Sequence, residues 1–212
     1  NAVYPQRKES GMNLRPYQQE ALDKCSERYA AGVNRQLIVM ATGLGKAVLF
    51  AALRNHMNFQ KRVMVLVHRE ELAKQAADKI HKWNPGLMCG TEMASRYAAP
   101  MDTMVVASVP TLGRRGSKRI GFFNPEDFDC IVSDEAHHVV SPQWKRVLDH
   151  FGLMQPNDSP TLSLGLTATP NRADGTGLRE CFDEIIYDKG IDAGIRDGYL
   201  VDLRCWRVET TT

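Results

Sequence analysis

Hydrophobic residues in this chain gather in short blocks on consecutive positions instead of alternating with polar ones. Gln36–Met40, Val63–Val67, Met104–Ala107, Cys130–Ser133 and Leu162–Leu166 are rich in Val, Ile and Leu. Continuous apolar runs of that length suit strands covered on both faces. Between them, 16–31, 70–83 and 142–151 repeat their apolar positions at helical spacing, and Val48–Leu53 follows the first block as a further helix. Strands alternating with helices predict a three-layer α/β fold around a mainly parallel sheet. Asn1–Ser10 is polar without an apolar period and reads as a loose leader, residues 11–190 as the domain, and 191–212 as an exit segment. In that segment Ala193–Asp197 has helical character, Gly198 is a stop, and Tyr199–Leu203 reads as a strand. Gly152–Pro160, rich in Pro, Asn, Asp and Ser, is expected to be a surface loop.

With 212 residues the chain can bury one large core. A net charge of +2 gives no strong overall field, so any attraction to a polyanion rests on local patches. The densest is Arg114-Arg115-Gly116-Ser117-Lys118-Arg119, either a phosphate contact or a solvated loop. Cys25, Cys89, Cys130, Cys181 and Cys205 lack the short paired spacing of a zinc site, and Cys130 lies on an expected buried strand; both features fit a reducing compartment. No stretch of about twenty apolar residues and no signal-peptide pattern is visible. The expectation is a soluble intracellular chain without a membrane partner, cytoplasmic in a bacterium and mitochondrial or nuclear in a eukaryote.

The chemistry concentrates at the ends of two strand blocks. Met40-Ala41-Thr42-Gly43-Leu44-Gly45-Lys46-Ala47 joins the first strand to the next helix through a glycine-rich turn. Gly43 and Gly45 permit close approach of the backbone to an anion, the helix N-terminus favours negative charge, and the Lys46 ammonium can neutralise the β- and γ-phosphates of a nucleotide. Ala47 stands where Ser or Thr would offer a hydroxyl to Mg²⁺. The block Cys130–Ser133 delivers Asp134-Glu135-Ala136-His137. In a parallel sheet its carboxyl end lies at the same edge as the glycine-rich turn. Asp134 can then hold Mg²⁺ through water, and Glu135 can orient and deprotonate the attacking water. Read blandly, the turn is a packing feature and the carboxylates are a helix N-cap.

Together these two motifs resemble the DEAH-type superfamily-2 helicases and translocases, and further segments extend the likeness over nearly the whole chain from Leu14. Leu14-Arg15-Pro16-Tyr17-Gln18-Gln19-Glu20-Ala21 resembles the Q motif, which implies adenine recognition by Gln18 with help from Arg15. Val63 to Gln75 resembles motif Ia, and Val105 to Leu112 a later nucleic-acid-contacting segment, implying backbone contacts at Arg69 and Ser108. Leu166-Thr167-Ala168-Thr169-Pro170 resembles motif III, implying that Thr167 and Thr169 relay nucleotide state and that His137 joins them by a hydrogen bond. The continuation Asn171–Gly175 narrows the likeness to the branch holding the yeast mitochondrial branched-DNA helicase, the XPB-like helicases and the restriction translocases.

The resemblance implies a RecA-like P-loop NTPase domain with ATP and Mg²⁺ as cofactors, Thr42 to Ala47 around the phosphates, and Lys46, Asp134, Glu135 and His137 as catalytic groups. It also implies two partners: nucleic acid, with DNA favoured over RNA, and a second RecA-like domain that supplies arginine fingers. The chain then corresponds to the N-terminal motor half of a longer protein. The alternative is a nucleotide-binding regulatory module whose catalysis has lapsed, which Ala47 supports. Trp83, Trp144 and Trp206 are expected in packing more than in base stacking, and His56, His68, His81 and His150 show no metal-ligand spacing.

Overall fold

The structure is a computed structural model that describes residues 13–155, 159–169 and 177–202. Its elements run α1 (Pro16–Ala30), β1 (Arg35–Met40), α2 (Lys46–His56), β2 (Arg62–Val67), α3 (Glu70–Trp83), β3 (Cys89–Glu92), β4 (Met104–Ser108), α4 (Val109–Leu112), β5 (Phe128–Asp134), α5 (Pro142–His150), β6 (Leu162–Thr167), α6 (Gly177–Cys181), β7 (Glu184–Lys189) and α7 (Ile191–Arg196). The seven strands form one sheet in the order β3-β4-β2-β5-β6-β1-β7, and every neighbouring pair is parallel. Two strands lie outside the sequence expectation. β3 is a polar, half-buried edge strand and β7, at the other edge, has mixed burial and charged residues on both sides of its apolar centre, so neither carries a long apolar run.

Strand side chains alternate between two cores, as the pleat demands. Ile38, Met40, Val63, Val65, Val132 and Leu164 pack with Leu22, Leu49, Phe50 and Ile80 under α1, α2 and α3. Leu37, Val39, Met64, Leu66, Val105 and Ile131 pack with Val109, Trp144, Leu148 and Cys181 under α4, α5 and α6. Because the strands are parallel, their carboxyl ends share one edge. Val39 pairs with Thr167, Leu166 with Asp134, Ser133 with Leu66, and Val67 with Ser108. Along that edge the chain therefore presents, in order, the glycine-rich turn after β1, the end of β6, the carboxylates after β5, His68 and Arg69 after β2, and the β4–α4 junction. Adjacent strands stand about 4.8 Å apart, so the whole row is compact.

The end of the described chain departs from expectation. α7 and the stop at Gly198 (φ +73°) are as read from the sequence, but Tyr199–Asp202 forms no strand. Tyr199 and Leu200 fold back instead and pack on the α1/α2 side of the core. An aromatic and a leucine can satisfy a strand pattern or a packing contact equally, and here the contact wins. The leader 1–10, Pro170, Asn171–Gly175, Leu203, Cys205 and Trp206 lie outside the described residues.

Candidate nucleotide site and nucleic-acid edge

The turn after β1 has the backbone its glycines allow. Gly43 (φ +88°) and Gly45 (φ +82°) occupy the left-handed region, and Gly45 caps α2. A Cβ on Gly45 would sit 2.8 Å from Gln18 Nε2, so any other residue here would have to displace the Gln18 amide. Leu44 is fully buried and anchors the turn, while Thr42 and Gly43 face solvent. Lys46 opens α2, and its Nζ donates to the Met40 carbonyl at 3.2 Å, holding the ammonium beside the end of β1. Ala47 is half-buried against the core.

The segment before α1 clasps this turn. Gln18 Oε1 accepts from Arg15 N at 3.0 Å, closing a capping box, and Gln18 Nε2 donates to the Leu44 carbonyl at 3.0 Å. Tyr17 Oη donates to the same carbonyl at 2.8 Å. An amide nitrogen has two hydrogens and its oxygen two lone pairs, so Gln18 keeps one donor and one acceptor for a ligand. Arg15, Gln18, Gly43, Leu44 and Gly45 line a cleft of about 440 Å³ with Val48, Lys79 and Trp83. Tyr17, Lys79 and Trp83 were missed as site residues in the sequence; Lys79 and Trp83 follow a helical pattern and reach the cleft only through the packing of α3 on α2. Trp83 packs partly on the core and also lines this cleft, whereas Trp144 is wholly a core residue.

At the end of β5, Asp134 Oδ1 accepts from Glu135 N at 3.1 Å. Burial, reinforced by the Glu135 charge, pushes the Asp134 carboxyl up to about 6, against the pull of that amide and of Lys46. A buried carboxylate held this unfavourably fits a cation, and because Ala47 offers no side-chain oxygen the donor set suits Mg²⁺ carried mainly by water. Among the described residues no cluster of three or more His, Cys, Asp or Glu side chains is arranged as a protein-only metal site.

Glu135 itself has φ +52°, a left-handed conformation unusual for a glutamate. It turns the chain so that His137 Nδ1 lies 3.3 Å from Glu135 Oε2 and 3.3 Å from Thr167 Oγ1. The Thr167 hydroxyl donates to the Thr169 carbonyl at 3.1 Å and accepts from Thr169 N at 3.2 Å. Its proton is therefore committed, and His137 Nδ1 must carry the hydrogen that both neighbours accept. The His137 to Thr167 link expected from the sequence is present as a contact.

The nucleic-acid candidates fare differently. Arg69 is exposed at the N-terminus of α3, and its Nε donates to His68 Nε2 at 3.1 Å. Ser108 ends β4 and is largely buried, with 5% of its surface exposed. In the basic run, Arg114, Arg115 and Lys118 are exposed. Arg119 is instead tied to buried Glu92, with Nε to Oε1 at 2.5 Å, and to the Ala94 and Arg96 carbonyls, and it lies 3.9 Å from the Tyr97 ring. Its charge is structural, which narrows the run to three free cations.

Residues 11–172 match the family described as "Type III restriction enzyme, res subunit". The chain belongs to this family. Among relatives, irc3 of Schizosaccharomyces pombe, named as a mitochondrial ATP-dependent helicase, is 35% identical over 208 residues, covering 95% of this chain and 33% of irc3. The chain thus spans about a third of that protein's length. Of solved structures, the Pyrococcus furiosus Hef helicase domain superposes with a TM-score of 0.71 at 22% identity, over 90% of this chain and 41% of that one. The Type ISP restriction-modification enzyme LlaGI, solved with a DNA substrate mimic, gives a TM-score of 0.67 at 19% identity, over 89% and 21%. This res-subunit-type chain therefore shares the α/β fold of helicase cores. Among its described residues no helix is long and apolar enough to cross a membrane.

Proposed function

We propose that this res-subunit-type chain is the ATP-binding half of a superfamily-2 helicase or translocase motor that acts on nucleic acid, with DNA favoured. The carrying observation is the placement of Lys46, Asp134–Glu135 and the His137–Thr167 contact along one sheet edge. The Thr42 to Gly45 amides and Lys46 grip the phosphates, Gln18 and Arg15 hold the adenine, and Asp134 carries Mg²⁺ through water. Bound Mg²⁺ would supply charge neutralisation between the β- and γ-phosphates. Glu135 takes a proton from the water that adds to the γ-phosphorus as the bond to the β-phosphate oxygen breaks. His137 fixes the Glu135 carboxylate by its Nδ1 hydrogen and reports to Thr167. DNA supports the partner assignment through LlaGI, which was solved with a DNA substrate mimic. A second RecA-like domain and its arginine fingers belong to the same proposal, as does the DEAH assignment of Asp134 to His137.

Single-turnover ATP hydrolysis by the chain tests this reading. The expected result is slow, magnesium-dependent turnover, about 10³- to 10⁵-fold below a complete motor because the arginine fingers are proposed to come from a second RecA-like domain, and its loss in Glu135→Gln. Ala47 favours a second reading, a regulatory module whose catalysis has lapsed. Absence of any magnesium-dependent turnover in the wild type and in Ala47→Thr alike would select that module.

A further inference from the structure

Three imidazoles bridge the two halves of this edge. His68, at the end of β2, lies 4.5 Å from His138 between ring centroids, at 52° between planes. His138 lies 4.2 Å from His137 at 43°. The stack continues at one end to Arg69, through the 3.1 Å bond to His68 Nε2, and at the other to Glu135 Oε2 and Thr167 Oγ1, each 3.3 Å from His137 Nδ1. We propose that His68 and His138 are positioning residues that pass nucleic-acid contact at Arg69 to the catalytic Glu135 through this stack of rings, and nucleotide contact back along the same route. The inference rests on the assignment of Arg69 and Glu135 made above.

The chemistry of the stack supports such a relay. Because His68 Nε2 accepts from Arg69, its proton sits on Nδ1, which is buried with no hydrogen-bond partner among the described residues. Among the described residues, Arg69 is then its one hydrogen-bond partner, and ring contact with His138 completes its hold. Burial, and secondarily the Arg69 and His137 charges, keep its pKa below the usual histidine value against the pull of Glu135. When Arg69 turns its guanidinium to a phosphate, Nε leaves His68, and the ring loses that hydrogen bond. Packed aromatic rings move together, so the shift reaches His138 and then His137, whose Nδ1 hydrogen is shared between Glu135 and Thr167. The route is a contiguous physical contact between two sites on neighbouring strands, and any coupling it carries is reciprocal.

The chain has six histidines, so its imidazole Cε1–H correlation spectrum is simple enough to read in full. The test titrates labelled chain with Mg-ADP and, separately, with a short oligothymidylate, in wild type, His138→Ala and His138→Phe. Mg-ADP is expected to move His137, His138 and His68 in the wild type, to leave His68 in place in His138→Ala, and to reach it again in His138→Phe, which restores a ring. The oligothymidylate is expected to show the converse, from Arg69 Nε to His137. A wild-type Mg-ADP response that stops at His137, or one that reaches His68 undiminished in His138→Ala, overturns the relay. If the oligothymidylate leaves Arg69 Nε unmoved while Mg-ADP still reaches His68, the relay stands and the assignment of Arg69 falls. If Mg-ADP leaves the amides of 43–46 unmoved, the nucleotide reading falls, and transmission from Arg69 to His137 decides the relay.

Discussion

Glu135 holds its left-handed turn (φ +52°) beside an Asp134 whose carboxyl is pushed up to about 6, so two unfavourable local states sit side by side where hydrolysis is proposed. Strain of this kind persists where the surrounding structure enforces it and is concentrated at functional sites. Asp134 allows a signed prediction. Its folded pKa lies above the ordinary 3.8, so the folded state binds its proton more readily than the unfolded state, and the charged carboxylate costs stability above about pH 6. That cost shrinks as pH falls and is gone below about pH 4. Without nucleotide, Asp134→Asn should therefore stabilise the chain by about 1 to 2 kcal/mol at pH 8 and change little at pH 4, as read by urea unfolding at both pH values. A loss of stability at pH 8 would mean that the carboxylate is a structural ion-pair partner and not a cation seat.

The β-strands β1, β2, β4, β5 and β6 and the helices α1, α3 and α5 were legible in the sequence because each carries a continuous apolar run or a clear helical period. β3 and β7 were not, since Cys89–Glu92 is polar and half-buried and Glu184–Lys189 flanks its apolar centre with charged residues at a sheet edge. At the candidate site, the left-handed glycine turn of Gly43 and Gly45 and the placement of Lys46, Asp134 and Glu135 at one sheet edge could be read from type and spacing alone. The clasp of Tyr17 on the Leu44 carbonyl, the loss of Arg119 to Glu92 and the burial of Ser108 could not, because tertiary contacts decide them. One close approach shows how tightly β6 is seated. A Cβ on Gly165 would come within 2.5 Å of Phe182 Cζ and 2.7 Å of Leu37 Cδ1. Gly165→Ala should cost about 1 to 3 kcal/mol by overpacking and, because Thr167 follows two residues on, weaken nucleotide binding as well. Thermal unfolding and nucleotide titration of this variant check both effects; full stability would show that Phe182 and Leu37 have room to move.

Across the whole molecule the sheet sorts function by strand order. β1 carries the glycine-rich turn proposed to hold phosphate, β6 and β5 carry Thr167 and the two carboxylates, and β2 the exposed Arg69, with Arg114, Arg115 and Lys118 beyond the β4–α4 junction. With net charge only +2, the proposed nucleic-acid binding is expected to rest on local cations such as these. It should be weak, independent of sequence and salt-sensitive, with a log–log slope of about 0.7 to 0.9 per neutralised phosphate. Anisotropy titrations with a labelled single strand at two salt concentrations read that slope, and binding that ignores salt would contradict a backbone-tracking edge.

The central claim is that this edge grips ATP through Lys46. The most direct measurement is calorimetric titration of the wild type and Lys46→Ala with a non-hydrolysable ATP analogue in the presence of magnesium. Loss of a charge-assisted contact to phosphate is worth about 1.5 to 3 kcal/mol, so the account predicts binding by the wild type and roughly 10- to 150-fold weaker binding by Lys46→Ala. Equal affinity in the two proteins, or no binding by the wild type, would contradict it.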